Sequence, residues 1–338
     1  LAGRHGAFVR KDGRLVYEPK PGTDGFSLTM MSRKGLLPEA DFYFPLPHAP
    51  LVICTPRAVA ALIDQGGADL LDRTFDLFRR ELMALDPAYA ASTGLATASP
   101  EAFGEAYFAA RAAADPFEWA AANLEEARAG HRSRQTVAWR DGILRMHEVV
   151  AAIVPHLDAR QFRRFNRSLK PVFVDAYGAV PHESIERVLA LHDAGRLTVL
   201  PLGDRYRLDP HCPEGGARLI LDDDVRHFPV FIEATGQGAL SAIQFPFLSL
   251  IEQGIVRDAP SDEAGPPRGI VVDDDFNVTA AGLPKDRLFC LSLPWLLGRH
   301  PFVQGVTSSR DMGEVVARRL VAVAGADGAA VDTLSAVA

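Results

Sequence analysis

Phe26-Ser27-Leu28-Thr29-Met30-Met31-Ser32-Arg33-Lys34-Gly35-Leu36-Leu37 is a short apolar run that stops in a polar, cationic turn. Loose alternation through Leu28, Met30 and Met31 predicts a buried strand of a parallel sheet. In an open α/β sheet, ligands sit outside the carboxyl ends of the strands. There an acidic residue suits a ribose 2′-hydroxyl and a basic one a 2′-phosphate. Ser32, Arg33 and Lys34 put a hydroxyl and two cations at that place, which favours NADPH over NADH. A solvated basic turn after a strand accounts for the same three residues.

Working outward, the opening segment Leu1 to Arg14 reads as the tail of a helix followed by a turn. No G-x-G-x-x-G fingerprint occurs in the chain, although two are expected if two dinucleotides are bound. The expectation is that residues are missing from the N-terminus.

Composition narrows the class. The 338 residues suffice for two domains, and 48% apolar with 23% charged residues is ordinary for a globular protein. A net charge of −7 argues against a nucleic-acid binder. No apolar run approaches the roughly 20 residues of a membrane span. The three cysteines, Cys54, Cys212 and Cys290, suggest neither a disulfide framework nor a C-x-x-C site. The ten histidines show no metal-ligand spacing. The expectation is a cytoplasmic protein without a metal, a membrane or a nucleic-acid partner.

A proline-broken connection, Phe42 to Pro50, leads into an almost wholly helical region, 57–168. Apolar residues recur there at three and four, and Asp115-Pro116-Phe117-Glu118 carries a helix-start signature. Pro171–Asp175 predicts a strand, Pro181–Ala194 a helix stopped by Gly195, and Arg196–Leu202 another strand, the rhythm of a βαβ unit. Tyr206–Leu208, Ala217–Leu221 and Pro229–Ala234 predict a small β-meander. Beyond it come a helix from Leu240 to Gln253, a polar Pro/Gly loop over 257–268, strands at Gly269–Asp273 and Arg287–Leu293, a helix Asp311–Ala324 and a frayed tail.

Two further places suggest chemistry. Val230 to Gly236 predicts a buried strand ending in Ala234-Thr235-Gly236, where a glycine lets the backbone approach a ligand; a plain turn fits equally. Ser308 and Ser309 are placed to cap the last helix, whose exposed N–H groups could meet an electron-rich ring or anion. Trp295, Arg299 and His300 form a polar and aromatic cluster nearby.

These motifs keep a particular order: Ser32-Arg33-Lys34-Gly35-Leu36-Leu37-Pro38, Trp139-Arg140, Gly195 to Leu200, Ala234-Thr235-Gly236, Phe245 to Leu248, Leu288-Phe289 and the terminal helix. The chain thereby resembles the FAD/NAD(P)-binding proteins related to flavin-dependent N-hydroxylating and urate-hydroxylating monooxygenases. The resemblance implies two Rossmann-like dinucleotide-binding domains, for FAD and NAD(P)H, with a large helical insertion and a small β-meander. Residues 1–204 would belong to the NAD(P)H domain and 205–338 to the FAD domain. It implies FAD and NADPH as cofactors and an oxidoreductase, monooxygenase-like, acting on a small molecule. Ser32, Arg33 and Lys34 would contact the 2′-phosphate. Thr235 and Gly236 would approach the flavin dinucleotide, and Ser308 and Ser309 the isoalloxazine. Relatives carry a basic stretch where this chain has Asp175 to Pro181, and Pro294-Trp295 stands in place of their Gly-Asp. A non-catalytic binding protein on the same fold, recognising a partner through 57–168, is the alternative.

Overall fold

The computed structural model describes residues 1–222, 224–236, 238–261, 267–302 and 305–335, with backbone only for 305, 307 and 326–335. Part of the expected 257–268 loop and the end of the expected tail therefore lie outside the described residues. The protein is mixed α/β, with twelve α-helices and small sheets among the described residues.

The helices are α1 (Ala2–His5), α2 (Pro56–Gln65), α3 (Leu70–Leu85), α4 (Pro87–Ser92), α5 (Pro100–Ala113) and α6 (Pro116–Ser133). They continue as α7 (Ala138–Ala151), α8 (Ala159–Arg167), α9 (Leu169–Tyr177), α10 (His182–Asp193), α11 (Leu248–Glu252) and α12 (Gly305–Ser335). The strands are β1 (Gly6–Lys11), β2 (Arg14–Pro19), β3 (Leu28–Ser32), β4 (Leu197–Pro201), β5 (Tyr206–Asp209), β6 (Ala217–Leu221) and β7 (Asp224–Phe228). Four helix starts share one device. Thr55, Asp86, Ser99 and Asp115 each accept a backbone N–H of the first turn, and a proline follows at a position whose own N–H has no helical partner.

By its contacts the chain divides into two compact units. The first comprises Leu1–Ile53, Phe75–Met146 and Arg167–Ala234; the second comprises Cys54–Thr74, His147–Asn166 and Thr235–Ala338. In the first, β3 and β4 are parallel, with Leu28 opposite Leu197 and Ser32 opposite Pro201. The strand is less buried than its apolar run suggests. Met30 is exposed, and among the described residues β3 pairs with β4 alone. Leu197 packs with Leu37, Phe117, Leu124, Ile185 and Leu191, joining the strand pair to α6 and α10. A hairpin, β1–β2, stands where a turn was expected, and Tyr17 of β2 is buried in the same core. The meander β5–β6–β7 is antiparallel throughout.

Several expected elements take another form. Pro171–Asp175 lies inside α9 rather than in a strand. Leu169, Val172 and Phe173 recur at helical spacing and are fully buried, and Phe173 meets Phe78 edge-on at 5.6 Å. Tertiary burial here overrides the strand propensity of Val-Phe-Val. Pro229–Ala234 forms no strand: β7 precedes it, and Pro229, which has no N–H for a ladder, ends that strand. The expected helix 240–253 is broken by Pro246 into a turn of 3₁₀-helix at Ala242–Gln244 and the short α11. Gly269–Asp273 and Arg287–Leu293 are reduced to isolated bridges, Asp258 with Ile270, Val272 with Val278 and Asn277 with Phe289. The last helix begins at Gly305 and runs to Ser335, through most of the expected tail.

Candidate functional site

β3 and β4 run side by side to a common carboxyl end, and their following turns are tied together. The Leu202 and Gly203 N–H groups donate to the Ser32 and Arg33 carbonyls, each at 2.9 Å. Gly35 has φ +67°, and a Cβ there would lie 2.9 Å from the Pro201 Cβ, so only glycine fits this close approach without strain. The turn thus holds Arg33 and Lys34 just past Ser32, the last residue of β3, with all three exposed.

The two cations differ. Arg33 reaches outward and lies 3.8 Å from Asp204, both side chains well exposed. Lys34 bends onto α5, with its Nζ 3.4 Å from the centroid of the Phe108 ring. Partial burial, with the charges of Arg33 and Arg111, lowers the Lys34 pKa. Asp175 and Asp204 act in the opposite sense, but no ion pair to Lys34 forms among the described residues.

Beside Lys34 is a buried ionic network. Arg111 donates to Asp175 through both terminal nitrogens, and its Nη1 is 3.3 Å from Glu39. Arg140 pairs closely with the other oxygen of Glu39 and lies over the Trp139 ring. The Trp119 indole N–H donates to Glu39 at 3.2 Å, and the Tyr107 hydroxyl donates to Asp175 at 2.8 Å. Glu39, Arg111 and Arg140 are each less than a tenth exposed. Burial, with Asp175 alongside, pushes the Tyr107 phenol far up, so it stays a proton donor. Burial pulls the Arg140 guanidinium down to about 10.

This network escaped sequence reasoning because its members lie far apart in the chain. Two signals touched it: Trp139-Arg140 was among the ordered motifs, and Asp175 stood out as an acid where a basic stretch was expected. The structure gives that acid a partner in Arg111.

The remaining expected site residues fall in the second unit. Thr235 and Gly236 lie exposed in a segment outside any strand, following the exposed Val230 and Ile232. The expected strand ending in Ala234-Thr235-Gly236 is therefore absent among the described residues. Ser308 and Ser309 lie inside α12, the fourth and fifth residues of a helix that begins at Gly305, so neither is its N-cap. Trp295 donates its indole N–H to the Ser241 carbonyl, Arg299 pairs with Asp274, and His300 packs on Phe276. Burial and the charge of Arg299 take His300 down to about 4, so it is neutral at pH 7. Arg299 also lines a cavity of about 380 Å³ with Asp158, Arg268, Ile270 and Val272. No cluster of three or more His, Cys, Asp or Glu able to hold a metal occurs among the described residues. No described helix is long and apolar enough to cross a membrane.

Residues 55–177 match the family of the YdhS-like middle domain. That segment runs from the Thr55 cap of α2 to Tyr177, the last residue of α9. Over 322 residues the chain is 38% identical to the uncharacterized protein YdhS of Escherichia coli (strain K12), a match covering 95% of this chain. The chain spans 58% of the length of that relative. Phe108, Arg111, Arg140 and Asp175 lie in the family-matched segment; Arg33, Lys34 and Glu39 precede it.

Proposed function

We propose that the protein is an NADPH-dependent oxidoreductase of the flavin-dependent, monooxygenase-like kind, built on Rossmann-like dinucleotide-binding domains and acting on a small molecule. The observation that carries this reading is the turn at the shared carboxyl end of β3 and β4. It presents a hydroxyl and two cations where a parallel sheet receives a nucleotide. Arg33, held among the described residues by a loose exposed ion pair, supplies the flat cationic fork that suits a phosphate. Gly35 keeps the backbone low at the same place.

Bound NADPH would supply the hydride. The chain's own contribution is to hold the 2′-phosphate at the turn and, through the Leu202 and Gly203 N–H groups, to keep that turn against β4. FAD as the electron acceptor rests on the resemblance, and no described residue of the second unit is assigned to it. Titration of the purified protein with NADPH and NADH, followed by nicotinamide fluorescence, tests the nucleotide half; equal affinity for the two would remove it. The visible spectrum after addition of FAD tests the other half, and a spectrum without protein-bound flavin bands removes the flavin.

A further inference from the structure

Arg33 and Lys34 are adjacent in sequence, yet their surroundings are opposite in kind. The Arg33 side chain is 58% exposed, and its partner Asp204 is 84% exposed at 3.8 Å. Such a pair is weak, and an arriving phosphate displaces it at little cost. Lys34 instead spends its charge on the face of a ring that cannot move away. Phe108 is buried, and Tyr107 meets it edge-on at 4.8 Å. Tyr107 is fixed by its hydrogen bond to Asp175, and Asp175 by the two nitrogens of Arg111. Meeting a phosphate outside would take the Lys34 ammonium off this platform.

We propose that the two cations divide the work: Arg33 meets the nucleotide phosphate, and Lys34 is a positioning residue that clamps the β3 turn to α5 through the Phe108 ring. The phosphate half of this division rests on the nucleotide reading above; the clamp does not. Lys34 then sets how well the turn is held for either nicotinamide dinucleotide, and Arg33 alone sets the preference between them.

Affinities of native protein, Arg33→Ala, Lys34→Ala, Phe108→Leu and the Lys34→Ala/Phe108→Leu double variant for NADPH and NADH separate the roles. Arg33→Ala is expected to lose about 10- to 100-fold in NADPH affinity with NADH unchanged. Lys34→Ala and Phe108→Leu are each expected to weaken both nucleotides by one common factor, about 3- to 10-fold. The double variant should be no worse than either single one, because both break the same contact. A selective loss of NADPH in Lys34→Ala, or losses that multiply in the double variant, overturns the division. One measurement needs no nucleotide: the Lys34 ε-methylene protons should be shifted upfield by the Phe108 ring current in the native protein and return in Phe108→Leu. An ordinary position in the native protein overturns the clamp. Failure of the native protein to bind either nucleotide, with the upfield shift intact, removes the nucleotide reading and the role of Arg33 with it.

Discussion

The ionic network around Glu39 and the amide of Asn277 are two buried polar sites treated in opposite ways. In the first, Glu39, Arg111, Arg140 and Asp175 leave water together and answer one another with charge, while Trp119 and Tyr107 donate to the two carboxylates. In the second, Asn277 is completely buried among the core residues Phe276 and Val278, yet neither end of its side-chain amide has a partner among the described residues. The His300 Nε2 is likewise without a partner among the described residues. A paired buried charge is neutral ground until one partner is removed, whereas an orphaned amide costs free energy as it stands. Substitution should therefore act in opposite directions at the two sites.

The largest effect is expected at Glu39. Glu39→Ala leaves Arg140 without its closest counter-ion and Arg111 with Asp175 alone, which should cost roughly 3–5 kcal/mol of stability in urea unfolding. Glu39→Gln keeps an acceptor for the Trp119 N–H and should lose less. Equal stability of Glu39→Ala and native protein would show that the network is not a buried charge system at all.

Asn277→Leu tests the other side of the comparison. It keeps the backbone bonds to Asp273 and removes an amide that has no partner among the described residues. It should be neutral to stabilising, by up to about 2 kcal/mol. A loss of that size would mean that the amide has acceptors and donors in solution.

His300 gives the contrast a pH dependence. Its folded-state pKa, about 4, lies below the ordinary 6.5, so the unfolded chain binds a proton that the folded protein resists. Stability from this group is fully present above pH 6.5 and is lost as pH falls towards 4. Allowing for its partial exposure, the loss is roughly 2 kcal/mol. His300→Phe should flatten urea midpoints measured between pH 7 and pH 4.5, and a slope unchanged by the substitution would acquit His300.

What the sequence shows and what it hides follows the range of the interactions. Asp115-Pro116 announces its helix because a cap reaches only two or three residues along the chain. The Phe26–Leu37 run and Arg196–Leu202 are each legible as strands because both end in turn chemistry, but their pairing with one another is not: the sequence pairs Arg196–Leu202 with Pro171–Asp175, which is helical. The network is not legible: Arg111 and Asp175 are 64 positions apart, and Arg140 and Glu39 are 101 apart. Residues 169–177 mislead for a related reason, since Val172-Phe173-Val174 favours a strand until burial against the helical region decides otherwise. In the second unit, short bridges replace the expected strands, and no period-2 pattern is long enough to mark them.

The smallest effect is local, and it separates cap chemistry from tertiary context. The Asp115 carboxylate accepts from the Phe117 and Glu118 N–H groups at 2.9 and 3.0 Å, satisfying two donors that α6 cannot pair internally. Phe117, the second residue of α6, is buried and stacks on His192 at 3.5 Å, so the helix start is also fixed by packing. Asp115→Ala should cost about 1 kcal/mol, and Asp115→Ser should recover most of it, because the hydroxyl can accept the same N–H groups. If packing of Phe117 alone positions α6, the alanine and serine variants will unfold at the same urea concentration. A serine variant midway between alanine and native protein, with amide exchange of Phe117 and Glu118 slowed in step, assigns the effect to the cap.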